Sequence, residues 1–283
     1  MIYLESIKLL ENDEEGLAMD ERKIYNSFYP FGIFSHMKNI RDIKFGSITI
    51  LCGNNGCGKS TLLNLISSKL KSVQKSNYDK GTLFKNYVDV MRYEMNKIPE
   101  EIVTITSDDI FDYLLDLRSI NSHVNRRKDE LAKYYLDNKY NRKDISIFDY
   151  NEIRKNYETK TSTMSKFIRG NLMNNNISLQ SNGESSLMFW EREIKENGIY
   201  ILDEPENSLS AENTLKLKKF IEDSVRFYNC QFIISTHSPF LLNLCDAVIY
   251  DLDLKDFTPV KFENIPSIKI YYEFFKNIES KFT

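Results

Sequence analysis

The chain has 283 residues, 41% of them hydrophobic and 28% charged, with a formal net charge of −3. That length and apolar content suffice for a full core, as one large α/β domain or a domain carrying a sizeable insertion, and they set disorder aside. A charge so near zero excludes a surface dominated by one sign, as wholesale nucleic-acid or membrane binding would need, and leaves only a local basic face open. The cysteines, Cys52, Cys57, Cys230 and Cys245, form no CxxC pair and lack matching histidine spacing. Neither a zinc site nor a disulfide framework is predicted, and the thiols read as buried in a reducing compartment. The start, MIYLESIKLLENDEE, has no basic n-region or long apolar h-region, and no apolar run approaches a membrane-spanning length. A cytoplasmic protein without membrane insertion is expected.

Along the chain, MIYLESIKLL alternates apolar and polar residues and, with IRDIKF, predicts a small antiparallel sheet near the N-terminus. SITILC (47–52), EIVTIT (101–106), IYIL (199–202), CQFIIS (230–235) and AVIYDL (247–252) are continuous apolar runs rich in β-branched residues. Such runs fit strands covered on both faces, hence a mostly parallel sheet flanked by helices. TLLNLISSKL follows the first of these runs with helical periodicity, and Ser107 is placed to cap a helix over DDIFDYLLDLRSI. Residues 71–179 read as a helical insertion between core segments 1–70 and 180–283. Within it, 126–169 holds 12 Lys/Arg against 7 Asp/Glu. A solvated helix face explains that surplus better than a nucleic-acid patch, although the patch stays open.

The strand at 47–52 runs into GNNGCGKST (53–61), which matches G-x-x-x-x-G-K-[ST] at every fixed position and passes straight into a helix. Gly53, Gly56 and Gly58 let the backbone of Gly53, Asn54, Asn55, Gly56, Cys57 and Gly58 turn its N–H groups toward phosphate oxygens, helped by the helix N-terminus that opens there. Lys59 reaches the β and γ phosphates, Ser60 offers a hydroxyl to Mg²⁺, and Thr61 is the last of the nucleotide-binding residues. GIYILDEPENSLS (198–210) then delivers Asp203 and Glu204 at the end of a buried strand, Asp203 toward Mg²⁺ and Glu204 toward an attacking water. His237 ends CQFIISTHSPF, 33 residues after Glu204, and is placed to face a γ-phosphate; a histidine there on its own would be an ordinary loop residue.

GNNGCGKST, ILDEPENSLS and ISTHSPF, in this order, resemble the Walker A, Walker B with D-loop, and switch histidine of ABC-type ATPases. The resemblance implies a P-loop NTPase fold of the ABC nucleotide-binding type, with ATP and Mg²⁺ as ligands. In that family a signature loop precedes Walker B by about twenty residues, and SNGES begins at Ser181, 22 residues before Asp203. By the same resemblance Ser181, Asn182, Gly183 and Glu184 close the nucleotide site of a second subunit, Ser208 crosses the same joint, and the chain is a homodimer when ATP binds. Two features depart from the family. The usual glutamine some forty to fifty residues after the Walker A lysine is missing; TSDDIFD stands there, so Ser107 or Asp108 replaces it toward Mg²⁺ unless this is an ordinary helix cap. Tyr25, Tyr29, Phe31 and Phe34 precede the loop, but none marks an adenine-stacking position, and core packing is the safer reading for most.

The 121 residues between Lys59 and Ser181 are too few for a long coiled coil. The missing glutamine and the SNGE variant disfavour a transporter subunit, which stays as the alternative. The remaining resemblance is to compact ATPases of ABC type found with bacterial defence and toxin modules. The resemblance therefore implies a switch for a separate effector, such as a nuclease, and leaves nucleic acid open as a further partner.

Overall fold

A computed structural model describes residues 1–10, 12–18, 28–35, 37–74, 82–140, 157, 159–161, 163–171, 182–207 and 209–281. The chain divides into two compact units, Met1–Phe111 with Asn182–Thr283, and Asp112–Ser181.

The first unit holds two sheets. Strands β1 (Leu4–Lys8), β2 (Asp42–Lys44) and β5 (Arg92–Met95) form the antiparallel sheet in the order β2-β1-β5. The expected pair from MIYLESIKLL and IRDIKF is there, and RYEM is a third strand whose polar sequence gave no sign of it. The larger sheet contains β3 (Ile48–Cys52), β4 (Val73–Gln74), β6 (Glu101–Thr106), β7 (Gly198–Asp203), β8 (Gln231–Ser235), β9 (Val248–Asp251) and β10 (Pro259–Val260). Its order is β10-β9-β3-β8-β7-β6-β4, with β10 alone antiparallel to its neighbour. All five apolar runs fall on strands, and every residue of β3 and β8 is buried, as central strands between two layers require.

Helix α1 (Asn12–Ala18) and helix α3 (Thr82–Val90) pack together beside α2 (Lys59–Lys69). Leu62, Leu63, Leu65 and Ile66 bury α2 against β7 and β8, so the helix that opens at the phosphate-binding loop is fixed to the sheet centre. The second unit was expected to begin near residue 71, but the division comes after Phe111. β4 and β6 lie in the larger sheet and β5 in the smaller, and this backbone pairing holds 73–74, 92–95 and 101–106 in the core.

Helix α4 (Ser107–Tyr140) continues from β6. Its cap differs by one residue from the expected Ser107. Asp109 Oδ2 accepts from Thr106 N and Thr106 Oγ1, each at 2.8 Å, and Asp109 N donates to Thr106 Oγ1 at 3.4 Å. This reciprocal box makes Thr106 the cap. In the second unit, Leu131 and Tyr135 of α4 form a small apolar cluster with Phe167 of α5 (Met164–Asn171).

Gln231 joins the two sheets. Its Oε1 accepts from Tyr3 N at 2.9 Å and Leu4 N at 2.8 Å, while its Nε2 donates to Leu4 O and Gly46 O, both at 2.9 Å. The side chain is wholly buried, so Gln231→Leu strands four backbone groups away from water. Gln231→Leu is expected to lower unfolding free energy by about 3 kcal/mol or more, measured by urea denaturation. A loss below about 1 kcal/mol would mean the two sheets hold together without this bridge.

Candidate functional site

The register of the larger sheet builds the site. Leu51 of β3 pairs with Ser235 of β8, Ser235 with Asp203 of β7, and Asp203 with Thr106 of β6. The carboxyl ends of four neighbouring strands thus stand in one row, and each is followed by a segment singled out in the sequence.

After β3, the loop 53–58 turns through left-handed conformations at Gly53 (φ 137°), Gly56 (φ 84°) and Gly58 (φ 102°). Space restricts Gly58 as well, since a Cβ there would lie 2.9 Å from Phe34 Cε1. α2 opens at Lys59 with no side-chain cap and no acidic residue in its first turn. Its leading N–H groups are left for an outside acceptor, which suits an anion. Lys59 is buried, and its Nζ donates to Gly53 O at 3.0 Å and Asn54 O at 3.1 Å, drawing the ammonium over the loop. Ser60 is exposed beside it. Cys57 Sγ lies 3.9 Å from Lys59 Nζ, and burial pushes its thiol up against the opposing pull of that ammonium.

After β7, Asp203 accepts a hydrogen bond from Ser235 Oγ. Glu204 has a left-handed backbone at φ 48°, a conformation costing about 1–2 kcal/mol for a residue with a side chain. Its N–H donates to Ser235 O at 3.1 Å and Ser235 Oγ at 3.2 Å, which holds the turn. The turn brings Glu204 Oε1 to 3.4 Å from His237 Nε2, within ion-pair range though not aligned as a hydrogen bond. Asn207 Nδ2 donates to Glu204 Oε2 at 2.9 Å and fixes the carboxylate from the other side.

Two acids escaped the sequence reading. Glu206 Oε1 accepts from Thr236 Oγ1 at 2.6 Å, His237 N at 2.8 Å and Ser238 N at 3.1 Å. It is the anchor of the histidine turn, and the one sign of it was an acid two positions beyond Glu204. Asp253 Oδ2 accepts from Asn54 N at 2.7 Å, and Asp253 N donates to Asp251 Oδ1 at 3.0 Å. Asp251 is buried, which pushes its carboxyl above the ordinary carboxylate range.

A family model described as "ABC transporter" matches residues 39–207, from before the loop to beyond Glu206. The chain belongs to the ABC transporter family. It is an ABC-type ATPase, which binds and hydrolyses ATP. This ATPase is 27% identical to the zinc import ATP-binding protein ZnuC of Ehrlichia chaffeensis, with 81% of each chain covered. It is 24% identical to an uncharacterized ABC transporter ATP-binding protein of Methanocaldococcus jannaschii, covering 87% of this chain and 85% of that one. Among solved structures, a nucleotide-free ATP-binding cassette from an ABC transporter matches at 13% identity and TM-score 0.42, over 96% of this chain and 99% of that one. An Smc head domain with coiled coil, bound to the C-terminal domain of ScpA and derived from Pyrococcus furiosus, matches at 15% identity and TM-score 0.44, over 97% and 100%.

The remaining expected residues of this ABC-type ATPase are placed unevenly. Asn182, Gly183 and Glu184 open helix α6 (Asn182–Glu193), while Ser181, Ser208 and Tyr25 lie outside the described residues. Phe31 and Phe34 are buried, and Tyr29 is exposed and stacks on Phe84 with ring centroids 5.7 Å apart. Ser107 and Asp108 stand beyond Thr106 at the strand-end row, with Asp108 exposed and Asp109 turned back into the cap. Among the described residues no cluster of three His, Cys, Asp or Glu side chains could hold a metal, and no helix is long and apolar enough to cross a membrane. Arg126 and Arg127 of α4 both pair with Glu130, at 3.8 and 3.3 Å.

Proposed function

We propose that this ATPase binds Mg-ATP at the GNNGCGKST loop, uses Glu204 and His237 for hydrolysis, and joins two copies head to tail as a switch for a partner protein. The observation that carries the reading is the row of strand ends, which opens the loop, the acidic pair and His237 onto one edge of the sheet. Backbone N–H groups from Asn55 to Thr61 take the phosphates, and Lys59 exchanges the carbonyls of Gly53 and Asn54 for the β and γ oxygens. The Ser60 hydroxyl and Asp203 carboxylate would hold Mg²⁺. Two hard oxygen donors suit an ion that keeps the rest of its shell as water and phosphate oxygen, and when bound it offsets the phosphate charge. Ser107 or Asp108 would stand near the same shell in place of the missing glutamine.

Glu204 takes a proton from the water whose oxygen bonds to the γ-phosphorus, while the bond from that phosphorus to the bridging oxygen breaks. ADP and inorganic phosphate leave. His237 steadies the γ-phosphate without adding a fixed charge. Ser181 and Gly183 contact the partner copy's γ-phosphate, Asn182 and Glu184 belong to the same signature loop, and Ser208 lies at the same joint.

Lys59→Ala tests the binding step. Loss of its charge-assisted contact is expected to cost about 1.5–3 kcal/mol, roughly ten- to hundredfold in Kd for ATP by calorimetric titration. Binding at wild-type strength would overturn the assignment of the loop.

For output, the missing glutamine supports a separate soluble effector, such as a nuclease. A second reading, the ATP-binding subunit of a transporter, is favoured by the names of the two relatives. Affinity purification followed by identification of the co-purifying chain separates a soluble effector from an integral membrane protein. The pairing of Arg126 and Arg127 with Glu130 supports a solvated face at the basic stretch. Duplex DNA is therefore expected not to be retained at low salt, with or without ATP. Retention that falls steeply with salt, and on charge reversal at Arg126, Arg127 and Lys128, would establish a nucleic-acid face instead.

A further inference from the structure

Helix α9 (Pro266–Asn277), which follows α7 (Ala211–Phe227) and α8 (Pro239–Leu242), has the sequence PSIKIYYEFFKN, and Ile268 is its one buried residue. Among the described residues its packing is chiefly with the 3₁₀ turns on either side, Phe262–Asn264 and Glu279–Lys281. A helix of 12 residues is marginal in water without tertiary support. Yet Ile270, Tyr271, Tyr272, Phe274 and Phe275 are each between 44% and 67% exposed. Of these, Ile270, Tyr271 and Phe274 fall within about 100° of the helix circumference and present roughly 350 Å² of apolar surface, within the range of the largest patch on an ordinary monomer.

We propose that α9 docks on α9 of a second copy of this chain, giving a dimer that needs no nucleotide and precedes the ATP-driven closure. Charge complementarity points to a second copy. Between Lys261 and Lys281 the segment carries four Lys and three Glu, interleaved, for a net charge of +1. An anionic membrane surface selects a far more cationic helix. The charges are also self-complementary. Lys269 and Glu273 are four residues apart on the edge of α9 beside Ile270 and Phe274, so two antiparallel copies packed on that side set each Lys269 opposite the partner's Glu273. A two-fold axis requires such reciprocity. The flanking side chains Ile270, Phe274 and Tyr271 then supply the apolar centre.

This dimer goes beyond the ATP-driven one and would act on it by effective concentration. Two sites already tethered close in an intramolecular step.

The test is sedimentation equilibrium of the whole chain without nucleotide at tens of micromolar. The wild-type protein and Lys59→Ala are both expected to sediment at twice the chain mass, which separates this contact from ATP-driven association. Ile270→Glu with Phe274→Glu is expected to weaken the dimer at least a hundredfold while leaving ATP affinity unchanged, since α9 does not contribute to the nucleotide site. Lys269→Glu should weaken it about tenfold, and adding Glu273→Lys should restore it. A wild-type monomer without nucleotide would overturn the proposal, as would a dimer indifferent to the Glu substitutions. Flotation of monomeric protein with phosphatidylserine vesicles, lost in Ile270→Glu with Phe274→Glu, would assign the face to lipid and overturn it equally.

Discussion

Glu204→Gln is expected to lower ATP turnover about a hundredfold or more while the Kd for ATP stays within a few-fold of wild type. Gln keeps the shape of Glu, its backbone N–H still reaches Ser235 O and Ser235 Oγ, and its side-chain oxygen can still accept from Asn207 Nδ2. What it loses is the ability to take a proton. His237→Ala should reduce turnover comparably, because the imidazole that stands 3.4 Å from Glu204 is then gone. Single-turnover measurement of phosphate release, beside nucleotide titration, checks both. Normal hydrolysis by Glu204→Gln would place the base elsewhere. Glu206 is a poor substitute, since its Oε1 already accepts three hydrogen bonds from the histidine turn.

The second large effect concerns Ser181. A protein carrying Ile270→Glu and Phe274→Glu leaves ATP as the one means of joining chains, and adding Glu204→Gln stops the cycle before hydrolysis. That protein is expected to be dimeric with ATP and monomeric with ADP, because only the γ-phosphate is shared across the joint. Adding Ser181→Arg should abolish the ATP dimer, since a long side chain would occupy the phosphate's place, while ATP still binds through Lys59. Multi-angle light scattering of the four states reads this directly. A protein monomeric in ATP, or a dimer indifferent to nucleotide and to Ser181, would return SNGES to the role of a helix cap.

The parts of the fold legible in the sequence are those whose cause is local. The five buried strands announce themselves as apolar runs because both faces are covered, and the loop at 53–61 because phosphate binding dictates glycine at set intervals. β5 and β4 were illegible, being four and two residues long and mostly polar at the sheet margins. For the same reason the insertion seemed to start near residue 71, when its compact unit starts at Asp112. At the site, Asp203, Glu204 and His237 could be read from their place after buried strands. Glu206 and Asp253 could not, because their roles come from partners 30 and 199 residues away. The cap of α4 moved to Thr106 because Asp109, not Ser107, supplies the reciprocal bond.

Gln231 also has a temporal meaning. Its bonds to Tyr3 and Leu4 span 228 and 227 residues, and β3 must likewise wait for β8 before the sheet centre can close. At common synthesis rates of about 5–20 residues per second, the N-terminal strands emerge on the order of ten to forty seconds before the partner that completes them. Contacts of such high sequence separation form slowly because loop closure comes before any reward. During that interval β3 is an apolar strand with both edges open, since its neighbours β8 and β9 come later, so the nascent chain is most in need of a chaperone just before residue 231 leaves the ribosome.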